Sequence, residues 1–248
     1  MYGLGIILII LFVPAAIMLK YIPMRERPYK VLTESTAAAA LGILFVFVLA
    51  SSTGVSLGER LGEMSDQAIE ILLANESFMN NSALAEMSAE EIEKALSAFY
   101  TLLINSLPGI LLIIASSISY IEYILIAKAL ARKADNVRKL PEFKNFTLPK
   151  SALWGWLTVF GAAWLVSRGL DFGEMVLINI GLLMEFSFVV QGAAVIFYFM
   201  DSRRIPKPVA AIIIVLFMST RMTQTLLFMF GVVDLVFNFR SRMNRKSL

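Results

Sequence analysis

Apolar residues gather into six long runs separated by short charged links, and one of them, Ala95 to Ile121, extends over 27 residues without a charge. A helix needs about 20 apolar residues to cross the hydrocarbon of a bilayer, so the pattern predicts an all-α, polytopic transmembrane bundle. The first span is expected over Met1–Leu19, kinked at Pro14, and the second from about Ser35 to Thr53. The third is expected from about Leu107 to Ala127, the fourth over Ser151–Ser167, and the fifth as far as Met200. The last apolar region, Val209 to Phe239, is read as two short helices meeting near Thr220-Arg221-Met222-Thr223-Gln224 rather than one tilted helix.

The links alternate in sign. Seven basic residues face two acidic ones between Lys128 and Lys150, and Arg203, Arg204 and Lys207 follow the fifth span. Basic residues concentrate in cytoplasmic loops. This places residues 20–32, 130–150, 201–208 and 240–248 in the cytoplasm of a bacterial cell, with 54–100 and 168–174 outside the plasma (inner) membrane. A single crossing over 209–239 would put Arg240, Arg242, Arg245 and Lys246 outside, which is the reason for the hairpin. The acidic stretch 54–100 is an external helical insert within a single membrane domain, 1–248. Leu57, Leu61, Met64, Ala68, Ile71 and Leu72 recur at helical steps there and predict an amphipathic helix. A turn is expected at 75–82, and Ser88-Ala89-Glu90-Glu91 has the form of a capping box that starts the next helix. Pro108 should kink or interrupt that helix. The small residues at Ser35–Ala40 and Gly42 favour close helix approach.

Composition agrees with this picture. The chain of 248 residues is 58% hydrophobic and 17% charged, with a mean hydropathy of +0.75. It has no cysteine and no histidine, which removes disulfides, thiol nucleophiles and the commonest general base and metal ligand. The net charge of +3 is explained by loop topology rather than by nucleic acid. There is no phosphate loop, nucleophile elbow or metal-ligand cluster, so no catalytic residue, metal or cofactor is expected and the protein is read as non-enzymatic.

Polar groups inside the apolar runs are the candidate site, because a charge at the bilayer centre costs about 2.5–3.5 kcal/mol on insertion scales. Glu185 lies midway along the fifth span and Arg221 in the middle of the last apolar region, so an ion pair between them would relieve both. Asn179 and Gln191 share the helix of Glu185, but on different faces. On the third span Ser116, Ser119, Tyr120 and Tyr123 fall in one arc, with Glu122 at its edge. That arc either lines a polar cavity or bonds helix to helix. Asp234 is expected near the cytoplasmic surface, paired with Arg240 or a loop base.

Gln191-Gly192-Ala193-Ala194-Val195, Tyr198-Phe199, Arg203-Arg204-Ile205-Pro206-Lys207-Pro208 and the stretch Gly231 to Arg240 resemble the YybS-like family of bacterial membrane proteins. That family is distantly similar to the substrate-binding S components of energy-coupling-factor vitamin transporters. The resemblance implies a helical bundle with an outward-facing ligand pocket. It also implies further helices ahead of residue 1, so that Met1 is an internal start, or the chain is a shortened variant or is completed by another subunit. Two functions follow as expectations. One is a small-solute-binding or transport-related subunit; the other is a scaffold or regulatory subunit of a larger membrane complex. The expected partners are the lipid bilayer, a protein subunit or a second copy, and a small-molecule ligand in the first case.

Overall fold

The computed structural model describes residues 2–51, 57–75, 77, 87–132 and 137–240, and among these the chain is all-helical, without a strand. The expected turn at 75–82 and the basic tail at 241–248 lie largely or wholly outside the described residues. Two compact units form, residues 1–138 and 139–248.

The first unit contains α1 (Tyr2–Tyr21), α2 (Pro28–Ser51), α3 (Leu57–Leu73) and α4 (Ala89–Leu130). Helices in lipid gain little from hydrophobicity against one another and associate by close packing. The small residues of α2 serve this purpose: Ser35 and Ala39 are fully buried. A Cβ on Gly42 would lie 2.8 Å from Ile9 Cγ2 of α1. Ile10, Ala39, Ile43 and Ala115 form the core joining α1, α2 and α4. The second helix starts earlier than its apolar run suggests. Pro28 suits a first helical position, and Lys30 stabilises the hydrated first turns by pairing with Glu26 at 3.1 Å and Glu34 at 3.9 Å.

The insert is helical, and the capping box is present. The Glu91 amide donates to Ser88 Oγ at 3.3 Å and the Ser88 amide donates to Glu91 Oε2 at 2.8 Å. Those Ser88 hydrogen bonds hold the Glu91 carboxyl below its ordinary value. From this cap α4 continues for 42 residues straight through Pro108, which leaves the Ile104 carbonyl without its helical donor but does not end the helix. The amphipathic face of α3 differs from its sequence reading. Ile69 is buried where α3 packs on α4, while Met64 and Ile71 are exposed.

The second unit is built round α6 (Gly173–Ser202), with α5 (Ser151–Val166), α7 (Lys207–Met218), α8 (Arg221–Phe237) and a 3-10 turn at Phe143–Asn145 packed on it. At 16 residues α5 is about 24 Å long, short for a perpendicular crossing. Arg168 stacks over the Trp164 ring at 4.1 Å where α5 turns into α6. The last apolar region breaks at Ser219–Thr220, and α7 and α8 meet at a bend of 113°. Among the described residues, four helices are long and apolar enough to cross a membrane, or five if α7 and α8 are one broken span. Phe12, Leu41, Phe45, Trp154 and Val215 are among many large apolar side chains left exposed, as expected of surfaces covered by lipid.

Candidate functional site

The break that starts α8 positions a charged pair. Thr220 is extended and its side chain accepts the Thr223 amide, while Thr223 Oγ1 donates to the Phe217 carbonyl at 2.5 Å, stitching α8 to the end of α7. Arg221 is therefore the first residue of α8, where the helix dipole disfavours a cation. Its guanidinium meets Glu185 Oε1 at 2.5 Å. Glu185 lies about 18 Å along the 45 Å of α6, by residue count. The two side chains are unequally shielded: Glu185 is 20% exposed and Arg221 is 74% exposed. They lie in an open groove of about 310 Å³ whose other walls are Gly181, Met184, Thr225 and Phe228. The groove is apolar apart from this pair and the Thr225 hydroxyl, so an anionic group entering it meets one cation that faces outward.

Below the groove α6 and α8 cross at backbone contact. A Cβ on Gly192 would collide with the Leu227 carbonyl, and one on Gly231 with the Phe188 carbonyl. Phe188, Leu227 and Val189 are almost fully buried around this crossing, and Phe188 meets Phe228 edge-on at 5.4 Å.

One turn beyond it is a polar hub. Gln191, fully buried, donates to Asp234 Oδ2 at 2.8 Å and accepts the Leu148 amide at 2.9 Å. Helix α8 ends at Asn238 in the left-handed conformation, φ 54°, its amide returning to the Asp234 carbonyl. This reversal brings Arg240 back onto Asp234 Oδ2 through Nε at 3.1 Å and Nη2 at 2.7 Å. Arg240 Nη1 donates to the Lys144 carbonyl at 2.8 Å. Outside the hub, Lys144 bridges Asp201 and Glu142, and Lys207 also holds Glu142. Hydrogen bonds from Lys144 and Lys207 pull the Glu142 carboxyl from 4.5 down to about 2, and Asp201, then Glu142, hold Lys144 above the usual lysine range. Because the Glu142 value is depressed on folding, its contribution is present above its unfolded value and is lost as pH falls towards 2.

The sequence candidates thus separate. Glu185 and Arg221 come together, whereas Gln191 belongs to the hub, and the Asn179 amide turns back to the Met175 carbonyl of its own helix. In the first unit Ser116 donates to the Leu112 carbonyl and Tyr123 to the Arg138 carbonyl. Ser119 is buried, Tyr120 is half-buried within electrostatic reach of Tyr29, and one carboxyl oxygen of Glu122 is enclosed. Two of the four hydroxyls of the arc, those of Ser116 and Tyr123, are thus bonded to backbone. Asp234 was legible as a partner of Arg240, but the central place of Gln191 was not. Its signal was the small-residue run that follows it, which marks a close helix contact beside a polar side chain.

These features define a multi-pass helical membrane protein. The chain belongs to the family described as predicted membrane protein (DUF2232), whose model matches residues 1–235. It is similar to the uncharacterized protein YybS of Bacillus subtilis (strain 168), 20% identical over 242 residues that cover 96% of this chain and 76% of that protein. No solved structure gives a significant match.

Proposed function

We propose that the protein is a non-enzymatic, small-solute-binding or transport-related subunit of the bacterial plasma membrane, and that the Glu185–Arg221 groove is its binding site. The observation that carries this reading is Arg221 itself. It lies beside Glu185 of the apolar helix α6, at a helix end where a cation is unfavourable, and it remains largely exposed in an apolar groove. A solute with a negatively charged group satisfies Arg221 by exchanging with Glu185, and an apolar portion is accommodated by Met184 and Phe228. The meeting of two short helices beside the pair also resembles the interrupted helices that form midplane sites in transporters.

A stability cycle separates this reading from a purely structural bridge. Under the proposal, Glu185→Gln folds with little loss of stability in detergent yet abolishes ligand retention, and Arg221→Leu does not rescue it. A buried structural bridge predicts losses of about 3–5 kcal/mol from either change, largely recovered in the double variant. Thermal unfolding of the four proteins distinguishes the two.

The scaffold reading is favoured by one observation. Of the described side chains of α5 only Ala163 is buried, and α3 leaves Met64 and Ile71 uncovered, so both helices have apolar faces available to a protein partner. In either case the orientation is proposed from loop charge, with α3 outside and the carboxyl terminus in the cytoplasm. The chain has no cysteine, so single cysteines replacing Ser82 and Ser247 report topology directly. They are expected to label from opposite sides with an impermeant thiol reagent; equal labelling in intact cells contradicts the arrangement.

A further inference from the structure

The first unit contains a carboxyl group, that of Glu122, with no ion-pair partner among the described residues. On α4, Leu111, Ala115 and Ile118 form the stripe that packs into the α1–α2 core, and the next position of that stripe is Glu122. A glutamate thus stands where the packing pattern takes an apolar residue. Ser119, in the same turn, is fully buried, and neither its Oγ nor Glu122 Oε2 has a hydrogen-bond partner among the described residues. This is not the habit of serines in this helix. Ser106, Ser116 and Ser117 all donate to the carbonyl four residues back, whereas Ser119 does not. Two buried polar atoms one turn apart, both unsatisfied, indicate that something is held between them.

Among the described residues no charged neighbour, Arg138 beside Tyr123 included, forms an ion pair with Glu122. On α2, Lys30 is already shared by Glu26 and Glu34, and Tyr29 is the phenol near Tyr120. On α1, Lys20 lies over the Tyr21 ring at 5.2 Å. The link between α1 and α2 carries Arg25, Glu26 and Arg27, and no ion pair joins any of them to Glu122. The acidic residues of α3 gather near Glu93, about 44 Å away along α4 by residue count. On α4 itself, Lys128 is six residues on and points to a different side, and the Tyr123 phenol is bonded to the Arg138 carbonyl. No metal-binding group of acidic residues occurs among the described residues.

We propose that Glu122 and Ser119 form a proton-binding site within the α1–α2–α4 bundle, in which Glu122 is a neutral acid at neutral pH. A proton is the one cation that needs no additional ligands, and the neutral acid resolves the cost of an unpaired carboxylate among apolar helices. Ser119 supplies a hydroxyl that reaches the acid through a water. The site belongs to the first unit, and it stands or falls independently of the groove on α6 and α8.

A hydrophobic carbodiimide reaches carboxyls through lipid and adds only to the protonated form. The full chain in liposomes is treated with dicyclohexylcarbodiimide across a range of pH, and the adduct is located by mass spectrometry of peptides. The expected result is adduct on Glu122 at neutral pH, at least roughly tenfold more than on Glu185, decreasing as pH rises well above neutrality. It is absent from Glu122→Gln, and Ser119→Ala shifts the pH midpoint. The wild-type profile decides the matter even if a variant fails to fold. Glu122 labelling no stronger than that of the exposed Glu63 and Glu90 would overturn the proposal. Protection by sodium ions at constant ionic strength would also overturn it, by showing a metal cation in place of the proton. A midpoint unchanged by Ser119→Ala would remove Ser119 from the site.

Discussion

Gly192→Ala and Gly231→Ala should each cost at least ~3 kcal/mol, although each adds a single methyl group. The added carbon would occupy the position of a backbone carbonyl on the opposing helix, the Leu227 carbonyl in one case and the Phe188 carbonyl in the other. Backbone cannot move aside by a rotamer change, so α6 and α8 would have to separate along their whole contact. Separation would also uncover Phe188, Val189 and Leu227 and pull Gln191 from Asp234. Gly155→Ala and Gly161→Ala on α5 are the controls, since a methyl group meets nothing within 4 Å at either position. These should remain within about 1 kcal/mol of the parent and gain slightly if helix propensity dominates. Thermal unfolding in detergent, followed by loss of monodisperse protein, measures all four.

Asp234→Ala should be comparably damaging, at about 3–5 kcal/mol, because it leaves Arg240 buried with no carboxylate. Arg240→Ala exposes a different weakness. Asp234 Oδ2 keeps the Gln191 amide, but the Lys144 carbonyl loses its guanidinium donor, and the 142–148 segment loses one of its attachments. The double substitution should recover part of the loss, since it removes both charges together. Gln191→Leu should cost about 1–3 kcal/mol by leaving the Leu148 amide and Asp234 short of a partner. Limited proteolysis between Lys139 and Lys150 reports the release of this segment. Faster cleavage in Asp234→Ala and Gln191→Leu with helical content retained is the expected outcome, and unchanged cleavage would show that the hub does not fasten it.

Much of the helical membrane architecture could be read from the chain because length and loop charge are strong signals in lipid. The capping box at Ser88–Glu91 and the break beside Arg221 were legible for a similar reason, since each depends on a few adjacent residues. Which face of each span is buried was far less legible. In water a helix shows its buried face as an apolar stripe, but in a membrane the lipid-facing side is apolar too, so periodicity fades. This explains why Gln191 looked like one of three scattered polar residues on α6 and proved to be the centre of the hub. In α3, which does have a polar face, the stripe was misplaced for a different reason. Ile69 faces α4 where Met64 and Ile71 do not, so tertiary packing selected one edge of a broad apolar arc. The early start of α2 was hidden because ion pairs and a first-turn proline, not hydrophobicity, support its opening turns.

The α6–α8 groove is proposed to hold a small solute by its negative group. Native mass spectrometry of the gently purified full chain tests it most directly, comparing wild type with Arg221→Leu and Arg221→Lys. A defined small molecule bearing an anionic group is expected on the wild type, lost from the leucine variant and partly retained by the lysine variant, which keeps the charge but not the planar fork. An unliganded wild type, or a bound molecule equally abundant in all three folded proteins, would contradict it.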